Sequence, residues 1–183
     1  MSLKIVQNLR EKLAKSFLLK QVNESDRNRK QINMDSARTV ALLYYIADEA
    51  TYKLAESILS RFIDMNLKVR VVCYTDLKII PHYFIPKISQ DIITARDVNW
   101  RLQPQKPFVK EFINTKYDIL IDLSLNDHFP LLYCSALSQA GLKVGRFQED
   151  HQLFYDLMIH AGPDETIDSF AIQVIHYLSR INN

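Results

Sequence analysis

The stretch Tyr117-Asp118-Ile119-Leu120-Ile121-Asp122-Leu123-Ser124 decides the fold. From Ile119 to Leu123 it is apolar but for one carboxylate, and turn-forming Ser124, Asn126 and Asp127 follow. A short apolar run bounded in this way predicts a strand covered on both faces, the habit of parallel sheets. Asp122 inside that strand must be paired or hydrogen-bonded, because a buried lone carboxylate is costly. The run Val40 to Ile46 is apolar throughout and predicts a second strand of the same kind.

Outward from these two runs, strand and helix alternate. Helix 50–65 carries Ala55, Ile58, Leu59, Phe62 and Ile63 on one face. Val69 to Tyr74 is a strand. Pro81 and Pro86 leave any crossover helix in 76–90 short or broken. Ile92 to Ala95 is a weaker strand, and Pro107 opens a helix. A helix from about Phe129 to Ala140 is expected to end on Gly141 as its cap. Leu142 to Gly145 and Tyr155 to His160 are further strands, and the last helix is expected to start at Pro163-Asp164. This alternation predicts an α/β fold: a three-layer, Rossmann-like, doubly wound and mostly parallel sheet of five or six strands. Right-handed crossovers favour the order 3-2-1-4-5-6.

Residues 1–35 form a separate piece in this reading, and 36–183 a single domain. Leu3, Val6, Leu9, Leu13, Ala14, Phe17 and Leu18 recur at helical spacing, opposite Lys4, Asn8, Glu11, Lys12 and Lys15. That predicts a basic amphipathic helix, with Arg10 intruding on its apolar stripe. Residues 21–36 are polar and predict a linker. Residues 1–33 hold eight Lys or Arg against three carboxylates, a local +5 that leaves the rest of the chain at −3. A basic arm on a mildly acidic body argues against nucleic acid, which calls for a basic face. The arm has two uses open to it. It packs Val6, Leu9, Leu13 and Phe17 on its own domain or on a second copy as a homodimer, or it makes peripheral contact with an anionic membrane.

Three glycines stand where average usage of ~7% gives roughly thirteen, and all lie in the last quarter. A glycine-rich phosphate loop after an early strand is therefore excluded. Cys73 and Cys134 sit in apolar runs and predict buried free thiols, which fits a reducing cytoplasm. The longest apolar run, Val40 to Ala47, is far short of the ~20 residues of a spanning helix. The expected location is cytoplasmic, with the inner membrane surface open to the arm. The five histidines show no metal-ligand spacing, though Asp150, His151 and His160 are placed where they can meet. No cofactor and no metal is expected.

In such sheets ligands bind beyond the carboxyl ends of the strands, where strand order reverses. That points to a crevice between the first and fourth strands. Asp48, Asn126, Asp127 and Arg146 are the candidate ligand-binding residues, with Ser124, His128 and His160 nearby. Each has a structural reading beside the functional one. Asp48, Asn126 and Asp127 suit helix N-caps. Arg146 suits a pair with Asp122 or Asp150, or an anionic ligand. Trp100 is a packing anchor or part of a rim.

Two resemblances attach to particular residues. Segments 117–124, Lys143-Val144-Gly145-Arg146 and Phe154-Tyr155-Asp156-Leu157-Met158-Ile159, with Asp97-Val98-Asn99-Trp100 and the basic first helix, resemble a family of small bacterial proteins grouped as a domain of unknown function. That resemblance implies no particular activity. Over residues 38–147 the chain also resembles the N-terminal, acceptor-side half of heptosyltransferase-type glycosyltransferases. There a Tyr-Asp-apolar-apolar-Ile-Asp-Leu strand precedes a helix and a short strand ending in glycine. Asp48 falls where those enzymes carry a catalytic aspartate. The chain departs in having Ala47 where they have glycine, and in lacking the domain that holds the sugar nucleotide. The resemblance therefore implies the sheet, not glycosyl transfer by this chain alone. The residues favour a non-catalytic binding or interaction module. The alternatives are an enzyme or sensor for a small anionic or sugar-like ligand at the carboxyl edge, and a peripheral membrane protein held by its first helix.

Overall fold

The computed structural model describes residues 2–23 and 26–181, the side chains of residues 2–8 excepted. Six strands form the sheet: β1 (Thr39–Tyr45), β2 (Lys68–Thr75), β3 (Gln90–Thr94), β4 (Ile119–Asp122), β5 (Leu142–Arg146) and β6 (Leu157–Ile159). Their order is β3-β2-β1-β4-β5-β6, and every pair is parallel. The two apolar runs are the central neighbours, paired from Val40↔Ile119 to Leu43↔Asp122. Order reverses between them, as the sequence predicts.

The two-residue period of a strand divides the core. Val40, Leu42, Tyr44 and Ile46 join a cluster under α2 (Glu49–Asp64) and α5 (Ile167–Arg180). Ala41 and Leu43 join the opposite cluster, under α3 (Pro107–Asn114) and α4 (Phe129–Leu137). A strand sandwiched in this way has no wet face, which is why β1 is apolar from Val40 to Tyr44.

Several boundaries differ from the sequence reading. The first helix, α1 (Ser2–Asn23), runs into the stretch read as linker. The chain beyond it is pinned across the sheet by bonds from Lys30 N to the Gly141 carbonyl (2.9 Å) and from Met34 N to the Leu178 carbonyl (3.2 Å). Helix α4 stops at Leu137, capped by Ser138, so Gly141 is not its cap. Gly141 instead lets the backbone approach closely, since a Cβ there would lie 3.1 Å from the Asp118 carbonyl oxygen. Helix α5 begins at Ile167, where the Thr166 hydroxyl accepts from Ser169 N.

Two crossovers lack a helix among the described residues. Between β2 and β3 the chain packs Phe84 inward and leaves Ile79, Ile80, Ile85 and Ile88 exposed. Between β5 and β6 there is one short turn, Glu149–His151. On that side α1 takes the place of the crossover helix. Ala14 and Leu18 are buried, and Leu18 packs with Leu132, Ala136 and Phe154. The expected stripe is thus only partly used. Leu9, Leu13 and Phe17 are 59%, 45% and 41% exposed, while Leu3, Lys4 and Val6 lie outside the described side chains. Arg10, the intruder on the stripe, donates to the carbonyls of Trp100 (2.6 Å) and Asn99 (2.9 Å). No described helix is long and apolar enough to cross a membrane.

Candidate functional site

The carboxyl edge of the sheet carries the polar side chains, because strands end there and helices begin. Asp48 follows β1 with extended backbone and caps α2. Its Oδ1 accepts from Thr51 N and from Thr51 Oγ1, both at 2.8 Å. These bonds hold its carboxyl below the usual range. The cap reading is correct for Asp48. It fails for Asn126 and Asp127, since the residue at the start of α4 is His128, which makes no side-chain cap bond. The reason is packing. The His128 ring stacks on Tyr45 with centroids 3.8 Å apart, fixing the chain one residue later. Tyr45 and Tyr74 in turn donate to Asp76, at 2.9 and 2.8 Å. Burial lowers the His128 pKa, so the stacked ring is neutral at pH 7.

Asp122 ends β4 and is buried. Its Oδ2 accepts from the Tyr155 hydroxyl at 2.7 Å and its Oδ1 from Ser124 N at 2.9 Å. Burial nevertheless pushes its carboxyl up, and burial together with the nearby carboxylate pushes the Tyr155 phenol up as well. Tyr155 reaches Asp122 by lying flat over Gly145. A Cβ on Gly145 would come within 2.6 Å of Tyr155 Cε1.

Asp127 and Arg146 meet beside this pair. Arg146 Nη2 donates to Asp127 Oδ1 at 3.2 Å, and Gln148 Nε2 donates to the same oxygen at 2.7 Å. Arg146 therefore pairs with Asp127 and not with Asp122 or Asp150. Asp150 pairs with Lys15 of α1. His151 is buried beside Tyr155, with ring centroids 6.1 Å apart. Burial lowers its pKa against the pull of Asp127 and Asp150, so it too is neutral at pH 7. His160 is exposed at the surface and does not join this group.

Two hollows flank the β4–α4 loop. One, of about 230 Å³, lies at the point where strand order reverses, between Tyr45, Ala47, Leu123, Asn126 and Ile167. The other, of about 320 Å³, lies over the β4–β5 side and is closed by α1. Its walls carry Glu11, Lys12, Lys15, Asp127, Asp150 and His151, over apolar Phe129 and Leu132. A narrow cleft beside it reaches Asp122, Asn126, Arg146 and Tyr155. Of the four candidates, Asn126, Asp127 and Arg146 therefore share one cleft, whereas Asp48 is occupied by its helix cap.

Lys12 and Lys15 escape sequence reasoning as site residues because α1 reads as a detached arm, and Asp150 is foreseen only beside His151 or Arg146. The available signal is the short β5–β6 connection, which leaves a helix-sized space to fill. Chemically, the larger hollow offers cations for an anionic group, carboxylates and a neutral imidazole for hydroxyls, and an apolar floor. Both cysteines are buried, and burial raises their thiols, so neither is an activated nucleophile.

A search of curated proteins gives no match. Among solved structures, E. coli heptosyltransferase WaaC with ADP is similar at 15% identity and a TM-score of 0.47, covering 78% of this chain and 48% of that one. WaaC with ADP-2-deoxy-2-fluoro heptose is similar at 16% identity and a TM-score of 0.46, covering 76% and 48%. The chain spans about half the length of those proteins. The profile of a family of unknown function, DUF6913, matches residues 10–181, and the chain belongs to that family.

Proposed function

We propose that this member of DUF6913 is a binding module, and that its ligand is a small polar molecule with an anionic group held at the carboxyl edge between β4, β5 and α1. The observation that carries this reading is the hollow of about 320 Å³, whose wall mixes Lys12 and Lys15 with Asp127, Asp150 and the neutral His151. A volume of that order is usual for a small-molecule site, and a wall of six polar or charged side chains over Phe129 and Leu132 suits a polar ligand. Binding is favoured over catalysis because the strongest titratable pair, Asp122 and Tyr155, is buried and joined to itself. Hydroxyls of a sugar-like ligand suit Asp127 and Asp150, and its anionic group suits Lys12 and Lys15.

A thermal-shift screen of sugar phosphates and sugar acids tests this. A ligand that stabilises the wild type should lose its effect in Lys15→Ala and Asp127→Ala. A ligand that stabilises both variants as well as the wild type places the site elsewhere.

A second reading rests on the exposed line Leu9, Leu13 and Phe17, extended by Trp100 at 61% exposure. The Arg101 guanidinium sits 4.6 Å from the Phe17 ring and 4.8 Å from that of Trp100, tying the line together. Such a strip suits a second copy of the chain. Light scattering of Leu13→Asp tests it, since a dimer in the wild type should become a monomer.

A further inference from the structure

At the opposite, amino edge of the sheet lies a smaller cavity, of about 80 Å³, lined by Arg27, Arg29, Lys143 and the apolar Val22 and Phe154. Lys143 stands in β5 and is only 4% exposed. Its ammonium has three donors, and among the described residues it donates to the Ala136 carbonyl at 2.7 Å, in the last turn of α4. A cation is favoured at a helix C-terminus, which accounts for one donor and leaves the others beside the cavity. Arg27 donates to the Ala140 carbonyl at 3.2 Å and pairs with Asp156. Arg29 Nε lies 3.4 Å from the same carboxylate, and its side chain is otherwise exposed at the mouth. Asp156 also accepts from Lys143 N at 2.8 Å. Among these described groups three cations therefore face one carboxylate, and the most buried cation is the least paired. A buried, underpaired charge is expensive.

We propose that this cavity is a second binding site, for a tetrahedral oxyanion such as phosphate or a phosphate monoester. Its volume of about 80 Å³ exceeds the share of two waters, about 30 Å³ each. Arg29 supplies a planar forked donor at the mouth, Arg27 adds positive charge while bonded to Ala140 and Asp156, and Lys143 supplies a point charge from below. A monoester leaves its organic part outside, past Arg29. Burial, with Arg27 adding repulsion, lowers the Lys143 pKa to about 7, and a bound anion would restore its proton.

Sulfate is the probe, because it does not titrate near neutral pH. Wild-type protein should show a saturable rise in melting temperature with sulfate that chloride at matched ionic strength does not reproduce. Arg29→Ala, at an exposed position that does not endanger folding, should weaken sulfate binding about tenfold or more, the loss of one charge-assisted contact. Lys143→Met should abolish it, and Arg29→Ala decides alone if that variant does not fold. The part of the sulfate effect that Arg29→Ala removes should persist in Lys15→Ala, which separates this site from the carboxyl-edge hollow. Inorganic phosphate and glycerol 3-phosphate, compared on the wild type, should both bind, with the tighter one identifying the free ion or the monoester as occupant. An equal effect of chloride, or full sulfate binding in Arg29→Ala, overturns the proposal.

Discussion

Replacing Gly145 with alanine adds one methyl group to β5, and the structure says where it lands. The new Cβ would lie 2.6 Å from Tyr155 Cε1 and 2.8 Å from both Cδ1 and Cζ. These are body atoms of a buried ring, which cannot swing aside as a flexible chain end does. The backbone itself is not the obstacle, because no glycine here has positive φ. Either the ring moves or the strand does, and overpacking of this kind costs about 1–3 kcal/mol. If the ring moves, the Tyr155 hydroxyl leaves Asp122 Oδ2, and losing a bond to a charged group adds about 1.5–3 kcal/mol. Urea unfolding of Gly145→Ala should therefore show a loss of about 1–3 kcal/mol if the strand yields and about 2.5–6 kcal/mol if the ring does. Tyr155→Ala removes the obstacle. In that background the same Gly145→Ala change should be neutral, or stabilising by about 0.4–1 kcal/mol through the unfolded chain. A neutral Gly145→Ala in the wild-type background, or an equal loss in both backgrounds, refutes the reasoning.

Burial holds the Asp122 carboxyl above its usual range, so the folded protein takes up that proton at higher pH than the unfolded chain. Relative to Asp122→Asn, wild type should gain stability as pH falls from 7 toward about 4, the ordinary carboxyl value. Tyr155→Phe, which removes a donor to the carboxylate, should move the Asp122 titration seen by carbon NMR further up, and an unmoved midpoint contradicts the assignment. Leu18→Ala should cost about 2–5 kcal/mol in urea unfolding, since Leu18 is 1% exposed; a loss below about 1 kcal/mol would mean that α1 is not held by this contact. Neither Cys73 nor Cys134 should react with a thiol reagent in native protein, and both should react in denaturant, because both are buried with raised pKa.

The sheet was legible because its two central strands are covered on both faces. Val40–Ile46, apolar throughout, and Ile119–Leu123, apolar but for Asp122, fit strands of which neither face meets water, and the remaining order follows from the handedness of crossovers. The cap on α2 was legible at Asp48 because it needs only a short side chain and Thr51 three residues on. The start of α4 was not, because the ring stack of His128 on Tyr45 joins residues far apart in sequence. The position of α1 was hidden for the same reason. A periodic pattern tells that a helix has an apolar side, but not which of Leu9, Leu13, Ala14, Phe17 and Leu18 finds a partner. The wall contributed by Lys12 and Lys15 was lost with it.

The substitution of α1 for a crossover helix sets a timetable. Lys15 and Asp150 are 135 positions apart, and Arg27 and Asp156 are 129 apart. On the ribosome, at roughly 5–20 residues per second, α1 therefore waits on the order of ten seconds before Leu132, Phe154 and Asp156 exist to receive it. Ala14, Leu18 and Leu19 stay in water meanwhile. Contacts of such long separation form slowly, and α1 has no complete surface to dock on until β5 and the turn after it are made. The hollow at the carboxyl edge stays incomplete until α1 docks, because α1 supplies Glu11, Lys12 and Lys15 to its wall.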